Sequence, residues 1–127
     1  MFDKMIPILP KDPFIICDLD ETLFTRGMPC KFIDLDGFIQ LFTHVKGNLI
    51  FLTKHTNEKE IRDKFKHLKL NYDDFTVLYT SDSKGAFLKR LSYPPRTVFI
   101  DNSVRQIKSV RKHCPDIMCI HFRPTPK

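Results

Sequence analysis

Asp-Leu-Asp occurs twice in the chain, in FIICDLDETLFT at residues 14–25 and in CKFIDLDGFIQL at residues 30–41. Acids on so short a spacing gather negative oxygen where a metal ion or a transferring phosphate can meet it. What precedes each pair separates them. Phe14 to Cys17 form a compact apolar run that delivers Asp18 to the end of a candidate strand, with Asp20 two positions on and Thr22 beyond. The second pair follows only Phe32-Ile33, carries Phe38 where the first carries Thr22, and leads into a helical pattern. Asp34 or Asp36 is therefore expected to cap that helix, where negative charge is favourable.

Other reactive groups fall at comparable places. Thr53 closes a second apolar run, Lys84 opens the helix that follows a third, and Asp101-Asn102 closes a fourth. In a parallel sheet these ends converge on one edge. Together they could support phosphoryl transfer through a covalent aspartyl-phosphate. Mg²⁺ would relieve the repulsion between a carboxylate nucleophile and a phosphate. Asp18 and Asp101 could hold the ion by side chain and Asp20 by its backbone carbonyl, while Thr53 and Lys84 steady the phosphoryl oxygens. The Asp20 carboxylate is then free to protonate the leaving oxygen and later to deprotonate water.

The elements that must position these groups are legible as an alternation. Candidate strands are 14–17, 48–53, 76–80, 97–101 and 117–122, short and mostly apolar, as expected of strands covered on both faces. Between them lie helical patterns at 36–46, 57–70, 83–91 and 103–114. In the second, Ile61, Phe65 and Leu68 form the apolar stripe, with Asn57 as cap. In the last, Val104, Ile107 and Val110 do so, between Ser103 as cap and Pro115 as stop. The expectation is an α/β domain with a mostly parallel five-stranded sheet. Residues 1–13 read as an arm, 24–34 as a hairpin-like flap and 123–127 as a tail.

Composition narrows the class. The chain has 127 residues, enough for one ordinary domain, with 42% hydrophobic and 28% charged residues. It contains no apolar run of membrane-spanning length and no recognisable signal peptide, so no membrane role and an intracellular place, cytoplasmic or nuclear, are expected. The net charge of +6 favours anionic partners. Cys17, Cys30, Cys114 and Cys119 form no C-x-x-C pair and are expected to be buried thiols. Lys59, Arg62, Lys64, Lys66 and Lys69 read as a solvated helix face; Arg26 and Lys31 in the flap, and Lys54 and His55 after Thr53, are candidates for touching substrate.

Asp18-Leu19-Asp20-Glu21-Thr22 resembles the first motif of the haloacid dehalogenase (HAD) superfamily of phosphatases, and Thr53, Lys84 and Asp101 stand in the order of its second, third and fourth motifs. The resemblance spans residues 14 to 122. It implies a Rossmann-like three-layer core, Mg²⁺ dependence, Asp18 as nucleophile and Asp20 as general acid/base. It further implies Asp18, Asp20, Asp101 and Asn102 on the metal, and Thr22, Thr53 and Lys84 toward the phosphate. An acid at position 20 implies rapid hydrolysis; dehalogenase branches lack it and ion-pumping ATPases carry threonine there. DLDETL and IDNS look most like the small phosphatases of the RNA polymerase C-terminal tail, with two departures. TKHT at 53–56 is not that group's wording, and Arg105 occupies the place of a second acid found in other branches unless Asn102 takes over its role. The short gaps between motifs leave no room for a cap domain, which suits a phosphate on an accessible partner such as a phosphoprotein. Two alternatives stand beside this reading: a phosphatase that processes nucleic-acid ends, and an idle phosphate-binding scaffold of the same fold. Oligomeric state is left open.

Overall fold

The computed structural model describes residues 1–55 and 57–124. Thr56, in the TKHT segment, and residues 125–127 of the expected tail lie outside the described residues. Five strands, β1 (Phe14–Cys17), β2 (Leu49–Thr53), β3 (Val77–Tyr79), β4 (Thr97–Asp101) and β5 (Met118–His121), form one sheet in the order β3-β2-β1-β4-β5. Every pairing is parallel. Helices α1 (Leu35–His44), α2 (Glu58–His67), α3 (Lys84–Lys89) and α4 (Val104–His113) supply the crossovers. The fold is α/β and Rossmann-like, with the five-stranded parallel sheet that the alternation predicts.

Period-two alternation along the strands explains the layering. Ile15, Cys17, Phe51, Val98 and Ile100 point to the face covered by α1 and α2, where Phe38, Leu41, Ile61 and Phe65 meet them. Ile16, Leu52 and Phe99 point to the opposite face and pack on Leu88 of α3 and Ile107 and Val110 of α4. Each large side chain fully buried this way contributes roughly 1.5–3 kcal/mol, which is why the strands read as apolar runs on both faces.

The chain reverses direction across the sheet at β1. Strands β2 and β3 build outward on one side through α1 and α2, and β4 and β5 on the other through α3 and α4. The ends of β1 and β4, neighbours in the sheet, therefore open on the crevice where such folds bind ligands.

Three local features differ from expectation or refine it. Residues 2–8 are not a loose arm. They form a 3-10 helix whose Phe2 is fully buried, its ring 4.5 Å from Phe122 and 5.6 Å from Phe38. Of the two acids offered as caps for α1, Asp34 is the N-cap: Oδ1 accepts from Gly37 N at 3.2 Å, and Oδ2 accepts from Phe2 N at 2.9 Å. Asp36 sits exposed in the first turn. The segment after β1 turns back on itself, with Phe24 bridged antiparallel to Phe32 and Thr25 N donating to Lys31 O at 2.9 Å. Among the described residues, no helix is long and apolar enough to cross a membrane.

Candidate active site

Asp18 is the first residue beyond β1, and its amide donates to Ile100 O at 2.9 Å, which locks it beside the end of β4. The chain then coils tightly: Thr22 N and Leu23 N both return to Leu19 O, and Glu21 takes the left-handed conformation, φ 62°. Such a conformation is uncommon for a residue other than glycine. This turn brings the Thr22 hydroxyl beneath Asp18, where it donates to Oδ2 at 3.0 Å and lies 3.3 Å from Asn102 Oδ1. The hydroxyl expected to meet phosphate is fully buried and aligns the Asp18 carboxylate instead.

Lys84 arrives from the opposite side. It opens α3 and its ammonium donates to Asp18 Oδ1 at 2.7 Å and Asp101 Oδ2 at 2.6 Å. All three groups are buried, at 2% exposure for Lys84, 6% for Asp18 and 1% for Asp101. One cation thus serves two anions in a buried crevice. Burial pushes the Asp18 carboxyl up to about 7; Lys84 draws it down and Asp101 pushes it up again. Burial draws the Lys84 ammonium down as well, but Asp18 and Asp101 together outweigh it and its pKa is raised. Among the described residues no buried side-chain nitrogen or oxygen lacks a hydrogen-bond partner.

Lys84 is itself held by α4. Its amide, one of the free donors of a helix start, donates to Gln106 Oε1 at 2.9 Å, and Gly85 N donates to Ser109 Oγ at 3.0 Å. The third acid is fixed too: Ser103 N donates to Asp101 Oδ1 at 2.9 Å. His121 Nε2 lies 2.9 Å from Asn102 O, so β5 steadies the residue next to Asp101.

Asp18, Asp20, Thr53, Lys84, Asp101 and Asn102 all line one small cavity of about 180 Å³, a volume suited to a phosphoryl group and a few waters. Thr53 Oγ1 accepts from His55 N at 3.1 Å. A larger groove of about 640 Å³ adjoins it, sharing Asp20, Arg26, Lys54 and His55 with the small cavity. Lys31, the other flap cation, lines neither of these two cavities.

One assignment from sequence fails outright. Lys64 is not on a solvated face. It is 4% exposed, and its ammonium donates to Asp20 Oδ1 at 2.9 Å and lies 5.0 Å from the centre of the Phe24 ring. The signal was present: Lys64 follows Ile61 by three and precedes Leu68 by four, which puts it on the apolar stripe. Gln106, also unassigned from sequence, is signalled by its place three residues after the Ser103 cap, where a capping-box side chain would turn back to the helix start.

The donor set fits Mg²⁺. Two carboxylates, an amide oxygen and backbone carbonyls are hard oxygen ligands, and two acids against one lysine leave a negative charge to be offset. Among the described residues no group of three or more His, Cys, Asp or Glu is placed to hold a metal ion, so the Asn102 amide, backbone oxygen and water would have to complete the shell.

No family model and no curated protein matches the chain. A solved structure does: the N-terminal part of the protein BF1531 from Bacteroides fragilis, which contains a phosphatase domain and is complexed with Mg. The two superpose with a TM-score of 0.67 at 17% sequence identity, over 96% of this chain and 39% of that one. The chain thus spans well under half the length of the structure it resembles, and at this identity what the two share is the fold.

Proposed function

We propose that the chain is a phosphatase of the haloacid dehalogenase type, hydrolysing a phosphomonoester through an aspartyl-phosphate on Asp18. The observation that carries this reading is the convergence of Asp18, Lys84 and Asp101 within hydrogen-bond distance at the switch point of a parallel sheet. The likeness to a phosphatase domain complexed with Mg supports it.

Asp18, Asp101, Asn102 and the backbone carbonyl of Asp20 would hold Mg²⁺, which when bound offsets the charge of carboxylate and phosphate together. The Asp18 carboxylate, held at one oxygen by Lys84 and at the other by Thr22, attacks phosphorus as the bond to the leaving oxygen breaks. Asp20 delivers a proton to that oxygen and is left as the carboxylate. Water then attacks the phosphorus of the aspartyl-phosphate; Asp20 takes the water's proton, Asp18 is released as carboxylate, and inorganic phosphate departs. Lys84 and Thr53 bind the phosphoryl oxygens, whose charge grows in the transition state. The small cavity opens directly on the larger groove, so we place the substrate among phosphomonoesters on accessible groups, a phosphorylated protein foremost.

The test is Mg²⁺-dependent release of p-nitrophenol from p-nitrophenyl phosphate by the wild-type chain, and its loss in Asp18→Asn. Undiminished turnover in that variant would sink the proposal.

A further inference from the structure

We infer that Lys64 is the positioning residue for Asp20, clamping its carboxylate at the boundary between the phosphate cavity and the adjoining groove. The inference rests on the reading of Asp20 as general acid/base and adds a residue from outside the strand-end set. A lysine is costly to bury without a partner, and among the carboxylates of the described residues the partner is Asp20 alone: Nζ lies 2.9 Å from Oδ1, and the ammonium has a face of the Phe24 ring at 5.0 Å. Phe24 is fully buried and bridged to Asp20 through the backbone, so the ring, the cation and the acid form one packed unit.

The place of this unit suggests its purpose. Asp20 lines both the small cavity and the groove, whereas Lys64 lines the groove only. With phosphate beside Asp18, the leaving group extends into the groove and its bridging oxygen passes Asp20. An acid on a turn has several rotamers; the ammonium selects the one aimed along this path. Lys64 touches no reacting atom. It acts through Asp20, by fixing where its carboxyl group points.

Leaving-group dependence separates this role from a merely structural one. The quantity kcat/KM reports steps up to departure of the leaving group, and p-nitrophenolate departs without needing a proton, whereas an alkoxide does need one. In Lys64→Met, kcat/KM for an alkyl phosphate is expected to fall about 10- to 100-fold, while that for p-nitrophenyl phosphate falls less than about 3-fold. Lys64→Gln keeps a donor near Asp20 and is expected to show the split in weaker form, with a smaller loss on the alkyl substrate than in Lys64→Met and the same near-silence on p-nitrophenyl phosphate; it is the readout if the Met variant does not fold. In an Asp20→Asn background, Lys64→Met costs nothing further on the alkyl substrate. Equal losses on the two substrates, or full additivity with Asp20→Asn, overturn the assignment of Lys64 while leaving the phosphatase reading intact. Wild-type protein inert toward both substrates overturns that reading, and this inference with it.

Discussion

Gly85 is the position at which helix packing and the site are most directly coupled. An alanine Cβ there would overlap the Ser109 carbonyl group and lie 2.5 Å from Ser109 Oγ, against 3.4 Å for ordinary contact. The backbone of α4 cannot yield as a side-chain tip can, so α3 must move by about 1 Å, a misplacement that can cost a catalytic group roughly 100-fold in rate. Lys84 precedes Gly85 directly and must travel with it, out of bonds of 2.6 and 2.7 Å to the two carboxylates. Overpacking costs about 1–3 kcal/mol and losing the Gly85 N to Ser109 Oγ bond about 1 more. At roughly 3–4 °C per kcal/mol for a domain of this size, Tm should drop by about 6–16 °C. The assay is a thermal melt with and without Mg²⁺, paired with turnover of p-nitrophenyl phosphate at a temperature where the variant is folded. Ser109→Gly should not rescue Gly85→Ala, because the obstacle is the backbone carbonyl. A Gly85→Ala protein with wild-type Tm and turnover would show that the close approach of α3 and α4 does not position Lys84, and the reasoning would fail.

Asp18→Asn should abolish turnover yet raise the Tm of the metal-free protein near pH 8. It removes one of two buried carboxylates sharing a single ammonium, for a gain of about 1–3 kcal/mol; a lower Tm would mean the pair is better compensated than its burial implies. Mg²⁺ at about 100 times its dissociation constant should stabilise the wild type by ~2.7 kcal/mol, or roughly 10 °C in Tm. That shift should vanish in Asp101→Asn, which scanning fluorimetry would read directly. Asp34→Ala should cost about 1–2 kcal/mol in urea unfolding, because it strips the cap of α1 and the partner of Phe2 N, whereas Asp36→Asn should stay within about 0.5 kcal/mol. Neither change should move kcat, and a large activity loss in Asp36→Asn would revive the second Asp-Leu-Asp pair as a functional element.

The alternation of strands and helices, and the order of the reactive groups along it, can be read from residue types alone. Both are local matters: a strand buried on two faces must be an apolar run, and an acid directly after such a run must stand at its end. Asp18 and Asp101 were legible for that reason, Thr53 as the last residue of its run and Lys84 as the opening of the helix after the third run, and Asp34-Leu35-Asp36 could be set aside because no such run precedes it. Which side chains meet is set by the packed fold. The Thr22 hydroxyl serves Asp18 because the turn through Glu21 folds it beneath the carboxylate, a result of backbone dihedrals that residue types do not encode. Residues 2–8 are core because Phe2 finds Phe38 and Phe122, which lie far along the chain. Lys64, one basic residue among several on α2, is singled out by a partner 44 positions earlier. A charge on a helix is read from sequence as solvated because water is its default partner; only the packed fold can supply a buried carboxylate in water's place.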